Sequence, residues 1–381
     1  MDFHFSAEQE EFRKRVRNFA IDKFSPVAME VDDSYDYQGS VTELLKEQQL
    51  FGLFAPKEYG GVDERVSVVK VCIAREELIR VCIQADDLMI CQGLGIYPIT
   101  LFSTEEQKRK YLPSVSKGEK LISFCLTEPG AGSDIAGIQM TATLKGDYYL
   151  LNGTKSFVSR PEEVDIIVVF AKTDPAQGGK GISAFIAEKG GTGFEAHNMK
   201  LMFPYCDGAI TLTDYMVPKT NMLGQPGKGM RIALTTLTNL FRITVGAAAV
   251  GLAQRALEEA IAYAKRRHAF GQPLFEFQAT QFKLAEMVTM LDAGRLLVYR
   301  AASLSDEGAS SVAKEASMAK LFATEAAHRI VDQALQIFGG IGLAKGQRIE
   351  QLYRAARASR IYEGTSEIQH LVIARDVLKE T

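Results

Sequence analysis

Residues 165–171, Asp165-Ile166-Ile167-Val168-Val169-Phe170-Ala171, form a short run dominated by β-branched and aromatic side chains. Such residues fit a pleated, buried surface, and the run has the length of a strand rather than of a helix. Similar runs surround it at Leu121 to Cys125, Asp147 to Leu151, Ile182 to Ala187 and Ala209 to Met216. Asn152-Gly153 sits between two of these runs, a strong hairpin signal, and the loop Pro175 to Gly181 separates two more. Short strands at this spacing predict a small all-β domain, a barrel or a sandwich.

The flanks read differently. Ser6 followed by Gln9 fits a capping box, and Phe12, Val16, Phe19, Ala20 and Phe24 repeat at helical spacing. Glu43 to Phe54, Val66 to Arg80 and Thr104 to Tyr111 continue this pattern, with Tyr59-Gly60-Gly61 as a loop signal. Beyond Pro226 the only further proline is Pro273. Val245, Ala249, Leu252, Ala256 and Ala260 step along one helical face there. Leu284 to Leu304, Val312 to Phe338 and Ser366 to Leu378 supply further helices. Four long helices with short connections predict an antiparallel bundle. Helices, then strands, then helices exclude an alternating α/β fold and give an α+β chain. The expected domains are 1–120 (N-terminal α-helical), 121–230 (middle β) and 231–381 (C-terminal four-helix bundle).

Composition narrows the function. The 381 residues carry 44 Lys and Arg against 47 Asp and Glu, a net charge of −3, which leaves no general electrostatic footprint for nucleic acid. With 46% apolar and 24% charged residues the chain reads as globular rather than disordered. The apolar run Ile243 to Ala253 falls short of a bilayer span, so no membrane segment is expected. Met1-Asp2-Phe3-His4-Phe5 has neither a basic nor an apolar leader pattern, and a cytoplasmic protein is expected. The five cysteines, Cys72, Cys82, Cys91, Cys125 and Cys206, contain no CxxC and read as reduced core thiols. The five histidines lack ligand spacing, so no metal site is expected.

Four segments could carry chemistry. The loop Leu126-Thr127-Glu128-Pro129-Gly130-Ala131-Gly132-Ser133-Asp134 follows a strand, and its glycines let the backbone approach a bound group while Thr127 and Ser133 donate hydrogen bonds. It has no Walker lysine. Tyr362-Glu363-Gly364-Thr365 places a carboxylate on a short loop among apolar residues, where burial would suit it to act as a general base. Arg266-Arg267-His268-Ala269-Phe270-Gly271 could hold a phosphate, and Gln336-Ile337-Phe338-Gly339-Gly340 could admit a ligand close to the backbone. Each also has a plain structural reading: a surface turn, a solvent-facing glutamate at a helix N-terminus, and two helix stops.

Taken together, and in this order, these four segments resemble the acyl-CoA dehydrogenases, nearly end to end. The resemblance implies an N-terminal helical domain, a middle β-barrel, a C-terminal four-helix bundle and a homotetramer in which two subunits touch each FAD. It implies that Thr127 and Ser133 contact the flavin, with Phe157 as an aromatic wall and Ser159 near its N5. Arg267, Phe270, Gln278, Gln336, Gly339 and Gly340 would hold the pyrophosphate and adenosine, with Thr365 and Glu367 at further FAD positions. Arg242 and Arg375 match positions for the CoA ligand, and Gly364 would lie beside the thioester. Glu363 would take the α-proton as the β-hydrogen leaves as hydride to the flavin, and an electron-transfer flavoprotein would take the electrons onward. Thr238-Asn239-Leu240-Phe241-Arg242, where some members carry the base, has no carboxylate.

The sequence also departs from the family. Phe157-Val158-Ser159 replaces the usual Trp-Ile-Thr, and the segment Phe203-Pro204-Tyr205-Cys206-Asp207 is unusual. Asp86-Asp87 lies on the helix expected to line the acyl pocket. Either the pair faces solvent or an arginine, or Asp86, Asp87 or Cys91 faces the distal end of a short, branched or alicyclic acyl group. Other readings remain open: an enoyl-CoA reductase on the same fold, a catalytically silent flavin- or CoA-binding scaffold, and a lyase or oxidase.

Overall fold

The computed structural model describes residues 4–36 and 38–380, except for the side chain of residue 380. The reading of Met1 to Phe5 as leaderless rests partly on Met1, Asp2 and Phe3, which lie outside the described residues. The chain forms two compact units, one of residues 1–34, 68–86 and 238–381, the other of 35–67 and 87–237.

The first unit is helical. Its long helices are Ala7–Phe24, Val68–Ile79, Arg242–Arg266, Gln278–Asp306, Ala313–Phe338 and Ser366–Glu380, with the shorter Arg348–Ala358, which the sequence reading omits. The Ser6–Gln9 capping box is formed in both directions, and Phe12, Val16, Phe19, Ala20 and Phe24 are buried. The bundle packs tightly because small residues line its centre. A Cβ on Gly246 would lie 2.7 Å from Val298 and 3.3 Å from the Ala319 carbonyl oxygen, so this glycine permits three helices to meet. Carboxylates join segments distant in sequence. Asp306 accepts the Val68 and Val69 N–H groups at 2.6 and 3.2 Å, capping that helix. Asp32, fully buried, accepts from Ile83 and Gln84 N–H and pairs with Arg348 at 2.5 Å.

The second unit holds the sheet. Its strands are β1 Ile122–Cys125, β2 Thr141–Lys145, β3 Tyr148–Ser159, β4 Ile166–Lys172, β5 Ile182–Glu188, β6 Phe194–Asn198, β7 Asp207–Pro218 and β8 Met222–Leu223. They pair in the order β6-β7-β3-β2-β4-β5-β8, with β1 parallel to β4, so the pairing path runs open from β6 to β8. Leu151, Val158, Val169, Phe185 and Ile210 are among the buried residues of its core.

One local expectation fails. Asn152-Gly153 is no hairpin turn; it lies inside β3, where the register against β7 shifts between Leu151 and Gly153. Gly153 has φ 148°, and a Cβ there would lie 2.9 Å from the Met140 backbone, so the glycine serves a β-bulge. The Asn152 side chain is occupied by Asp214, donating to its carboxylate at 3.0 Å and accepting its N–H at 2.8 Å. The hairpin turn falls earlier, at Gly146-Asp147 between β2 and β3.

By length and composition alone, the helical run Gly229–Arg266 could cross a membrane, although the sequence reading finds no such segment. Its most apolar window is 78% buried within the protein, as expected for a core helix. A π-helical turn, Leu237–Phe241, precedes Arg242.

Candidate active site

Glu363 lies in the tight turn between Arg348–Ala358 and Ser366–Glu380. Its φ is 54° and that of Gly364 is 95°, so two successive residues occupy the left-handed region. For glutamate this conformation costs about 1 kcal/mol or more and persists only when its surroundings hold it. They do so through named bonds. Glu325 accepts from Arg360 Nε at 2.7 Å and from Ser366 Oγ at 2.6 Å, pinning both ends of the turn. Lys320 Nζ and Gln369 Nε2 donate to the Gly364 carbonyl at 2.9 and 2.8 Å. Arg242 Nε reaches the Glu363 carbonyl at 3.4 Å, while its Nη1 is steadied by Thr238 Oγ1 at 3.2 Å, from within the π-helical turn.

One oxygen of the carboxylate has no partner: Glu363 Oε2 is sealed from solvent and accepts no hydrogen bond. Burial pushes its carboxyl up to about 7, against the pull of Arg75, Lys320 and Arg242. An unsatisfied buried carboxylate is costly, so its retention points to use rather than to packing. It could accept or release a proton near neutral pH, the property required of a general base.

Arg75 and Lys320 are absent from the sequence-derived site. Each is one of several charged residues on its helix, and nothing in the sequence marks it out. Arg75 holds Asp86 through Nε and Nη2 at 2.9 and 2.7 Å, with both side chains almost fully buried. Asp86 therefore meets an arginine, one of the two expectations for it, and both of its oxygens are occupied.

Asp87 makes a different contact. Cys91 Sγ lies 3.7 Å from Asp87 Oδ1, and Ser159 Oγ lies 3.1 Å from Cys91 Sγ and 3.0 Å from Asp207 Oδ1. Burial raises the Asp207 carboxyl above its usual range, opposed by the Ser159 bond and by Arg160. Asp87, Cys91 and Ser159 thus form one cluster, joined by an aspartate that the sequence reading noted only as unusual.

The loop 126–134 is held by a buried ion pair. Glu128 accepts from Gln139 and Met140 N–H and from Lys155 Nζ, the last at 2.7 Å, while Lys155 also donates to the Leu126 carbonyl at 3.0 Å. Around this anchor the loop is open: Ser133 is exposed, Thr127 half-buried, and a Cβ on Gly130 or Gly132 would meet nothing. Phe157 sits at a second β-bulge in β3, at φ 54°, which turns its ring outward to 56% exposure.

On the helical unit, Tyr263 and Phe338 stack at 4.2 Å and bring two helix C-termini together. Arg267 follows one of these helices and Gly339-Gly340 the other. Arg267, Gln278 and Gln336 are exposed, Gly340 has open space, and Phe270 is 97% exposed at φ 50°. Thr365 accepts from Ile368 N–H at 3.4 Å at the start of the last helix, and Glu367 is exposed in its first turn. Arg375 is exposed farther along that helix. Among the described residues, six non-glycine residues have positive φ, and Phe157, Phe270 and Glu363 are three of them. Such strain collects at functional sites.

These features fit a flavin dinucleotide. Each unit offers exposed aromatic surface with glycines beside which a ligand can approach, and the helical unit adds an exposed arginine suited to a pyrophosphate.

Known proteins share the pattern. Models of the acyl-CoA dehydrogenase N-terminal, middle and C-terminal domains match residues 6–119, 123–207 and 227–378. A 3-(aryl)acrylate reductase of Clostridium sporogenes is 44% identical, over 98% of this chain and 100% of its own. A caffeyl-CoA reductase–Etf complex subunit of Acetobacterium woodii is 40% identical, over 99% and 100%. The structure of butyryl-CoA dehydrogenase from Megasphaera elsdenii superposes with a TM-score of 0.94 at 37% identity, covering 99% of this chain and 100% of that one. The chain belongs to the acyl-CoA dehydrogenase family and is an FAD-dependent oxidoreductase.

Proposed function

We propose that this enzyme carries out α,β-dehydrogenation of a short, branched or alicyclic acyl-CoA thioester, with Glu363 as the base and an electron-transfer flavoprotein as electron acceptor. The observation that carries this reading is Glu363 itself: a partnerless buried carboxylate oxygen, held on a strained turn, with its proton affinity raised to near neutrality. FAD, when bound, accepts the β-hydrogen with its two electrons. Glu363 takes the α-proton, so the two C–H bonds broken leave one C=C bond. Thr127, Ser133, Phe157 and Ser159 would hold the flavin; Arg267, Phe270, Gln278, Gln336, Gly339 and Gly340, with Thr365 and Glu367, would hold the rest of the dinucleotide. Arg242, Arg375 and Gly364 would face the CoA ester. A homotetramer accounts for the exposed Phe270, Phe282 and Leu343 on the helical unit, which a monomer leaves in water. Glu363→Gln removes the base while keeping its shape. Adding butyryl-CoA anaerobically should bleach the flavin of the wild type and leave that of the variant oxidised; equal bleaching in both would overturn the assignment.

A second reading is favoured by the names of the Clostridium and Acetobacterium relatives: an enoyl-CoA reductase using the same residues in reverse. A carboxyl that titrates near 7 can deliver a proton as well as remove one. Rapid reoxidation of the chemically reduced enzyme by enoyl-CoAs, with little bleaching by their saturated counterparts, would decide for this direction.

A further inference from the structure

The turn that carries Glu363 is held chiefly from the helix Ala313–Phe338. One residue there, Lys320, is fully buried and reaches the Gly364 carbonyl. That carbonyl already accepts from a neutral donor, Gln369, at 2.8 Å. Burying an ammonium costs several kcal/mol, whereas an amide would supply a second hydrogen bond far more cheaply. The charge therefore has a task that the hydrogen bond does not explain.

The charged groups facing Glu363 show what that task is. Val68–Ile79 contributes Arg75, which is neutralised by Asp86. Arg242–Arg266 contributes Arg242. Ala313–Phe338 contributes Lys320, which itself feels Glu325, already paired with Arg360, and the exposed Glu367 of the last helix. Among the described residues, Arg242 and Lys320 are thus the cations acting on Glu363 without a carboxylate of their own in hydrogen-bonded contact. Arg242 bonds backbone and Thr238, and Lys320 bonds backbone.

We infer that Lys320 is a positioning residue for the reaction: it locks the left-handed Glu363-Gly364 turn through the Gly364 carbonyl and supplies the positive charge that keeps the Glu363 carboxylate ionised. This rests on the reading of Glu363 as the base. Two consequences follow from the electrostatics. Removing the Lys320 charge raises the Glu363 carboxyl further, so the base is ionised only at higher pH. Burial presses the Lys320 ammonium down to about 8, so Lys320 and Glu363 are both charged only in a narrow interval just above neutrality.

The test uses the FAD-loaded enzyme with Lys320→Gln, Lys320→Arg and Glu363→Gln variants. Single-turnover bleaching by butyryl-CoA is followed anaerobically from pH 5.5 to 9. Lys320→Gln keeps a donor for Gly364 but no charge. Its rate should rise with pH about one unit later than the wild type, roughly a tenfold deficit on the acid side that closes at high pH. Lys320→Arg should follow the wild-type profile. A Lys320→Gln profile that is lowered uniformly without moving, or a Lys320→Arg profile displaced as far as that of Lys320→Gln, would overturn the inference and leave Lys320 a packing residue. Should a variant be isolated without FAD, its unfolding midpoint against pH reads the same carboxyl. Lys320→Gln should then lose more stability between pH 5 and 8 than Lys320→Arg, and equal losses would overturn the inference. Bleaching by Glu363→Gln would instead refute the base assignment, whatever Lys320 does.

Discussion

Replacing Glu363 by Gln should abolish dehydrogenation and also stabilise the protein, but only at neutral and alkaline pH. The folded chain holds this carboxyl at about 7 instead of 4.5 because burial disfavours its charge. At about 1.4 kcal/mol for each tenfold change in proton affinity, that difference is worth about 3 kcal/mol. Its sign follows from the direction of the shift. Below pH 4.5 the carboxyl is neutral in folded and unfolded chains alike, and nothing is lost. As pH rises from 4.5 to 7 the unfolded chain ionises first, so the folded state loses stability, and the loss is complete above 7. Glutamine carries no such cost. The attraction of Arg75, Lys320 and Arg242 is already contained in that value, so the net effect should be about 3 kcal/mol. The assay is the difference in unfolding midpoint between variant and wild type, at equal FAD loading, from pH 4.5 to 8.5. Taking the difference cancels the titrating groups that do not interact with Glu363. It should be near zero at the acid end and grow to a few degrees at pH 8. A difference that stays flat across this range, or a wild type that is more stable at pH 8, would refute the claim that Glu363 is held above the usual carboxylate range.

Other substitutions test the framework around the base. Arg75→Met leaves Asp86 buried without its cation and should cost about 3–5 kcal/mol in urea unfolding, and adding Asp86→Leu should recover most of the loss; no recovery would show that the pair is not the source. Lys155→Met removes the partner of Glu128 and should lower the FAD content read from the ratio of visible to ultraviolet absorbance, whereas full occupancy would mean the loop does not depend on that pair. Phe270→Ala, at a position 97% exposed, should weaken FAD retention or reduce the mass found by light scattering, and no change in either would remove this ring from the cofactor and subunit contacts. Asp87→Ala should alter the ranking of straight, branched and alicyclic acyl-CoAs, and an unchanged ranking would take the Asp87–Cys91 cluster out of substrate selection.

What the sequence makes legible is local. The Ser6–Gln9 box, the buried stripe from Phe12 to Phe24 and the apolar run at 165–171 depend on neighbours a few residues away, and each forms as the spacing demands. Asn152-Gly153 misleads because a hairpin and a bulge ask the same of glycine. What separates them is the Met140 backbone and the β7 register, which local sequence does not reveal. The site follows the same rule. Glu363 stands out through its motif, but its cations do not: Lys320 lies 44 residues from Gly364, and Arg75 11 residues from Asp86. In sequence each is one of several charges on its helix, and only tertiary packing shows that it is buried. The neighbours Asp86 and Asp87 look like a single feature, yet one meets Arg75 and the other Cys91.

The most direct test of the central claim is an anaerobic spectral titration of the FAD-loaded protein with straight, branched and alicyclic acyl-CoAs, beside Glu363→Gln. At least one saturated thioester should bleach the flavin of the wild type and none that of the variant. A wild-type flavin that stays oxidised with every saturated thioester, or a Glu363→Gln flavin that bleaches as fast as the wild type, would contradict that claim.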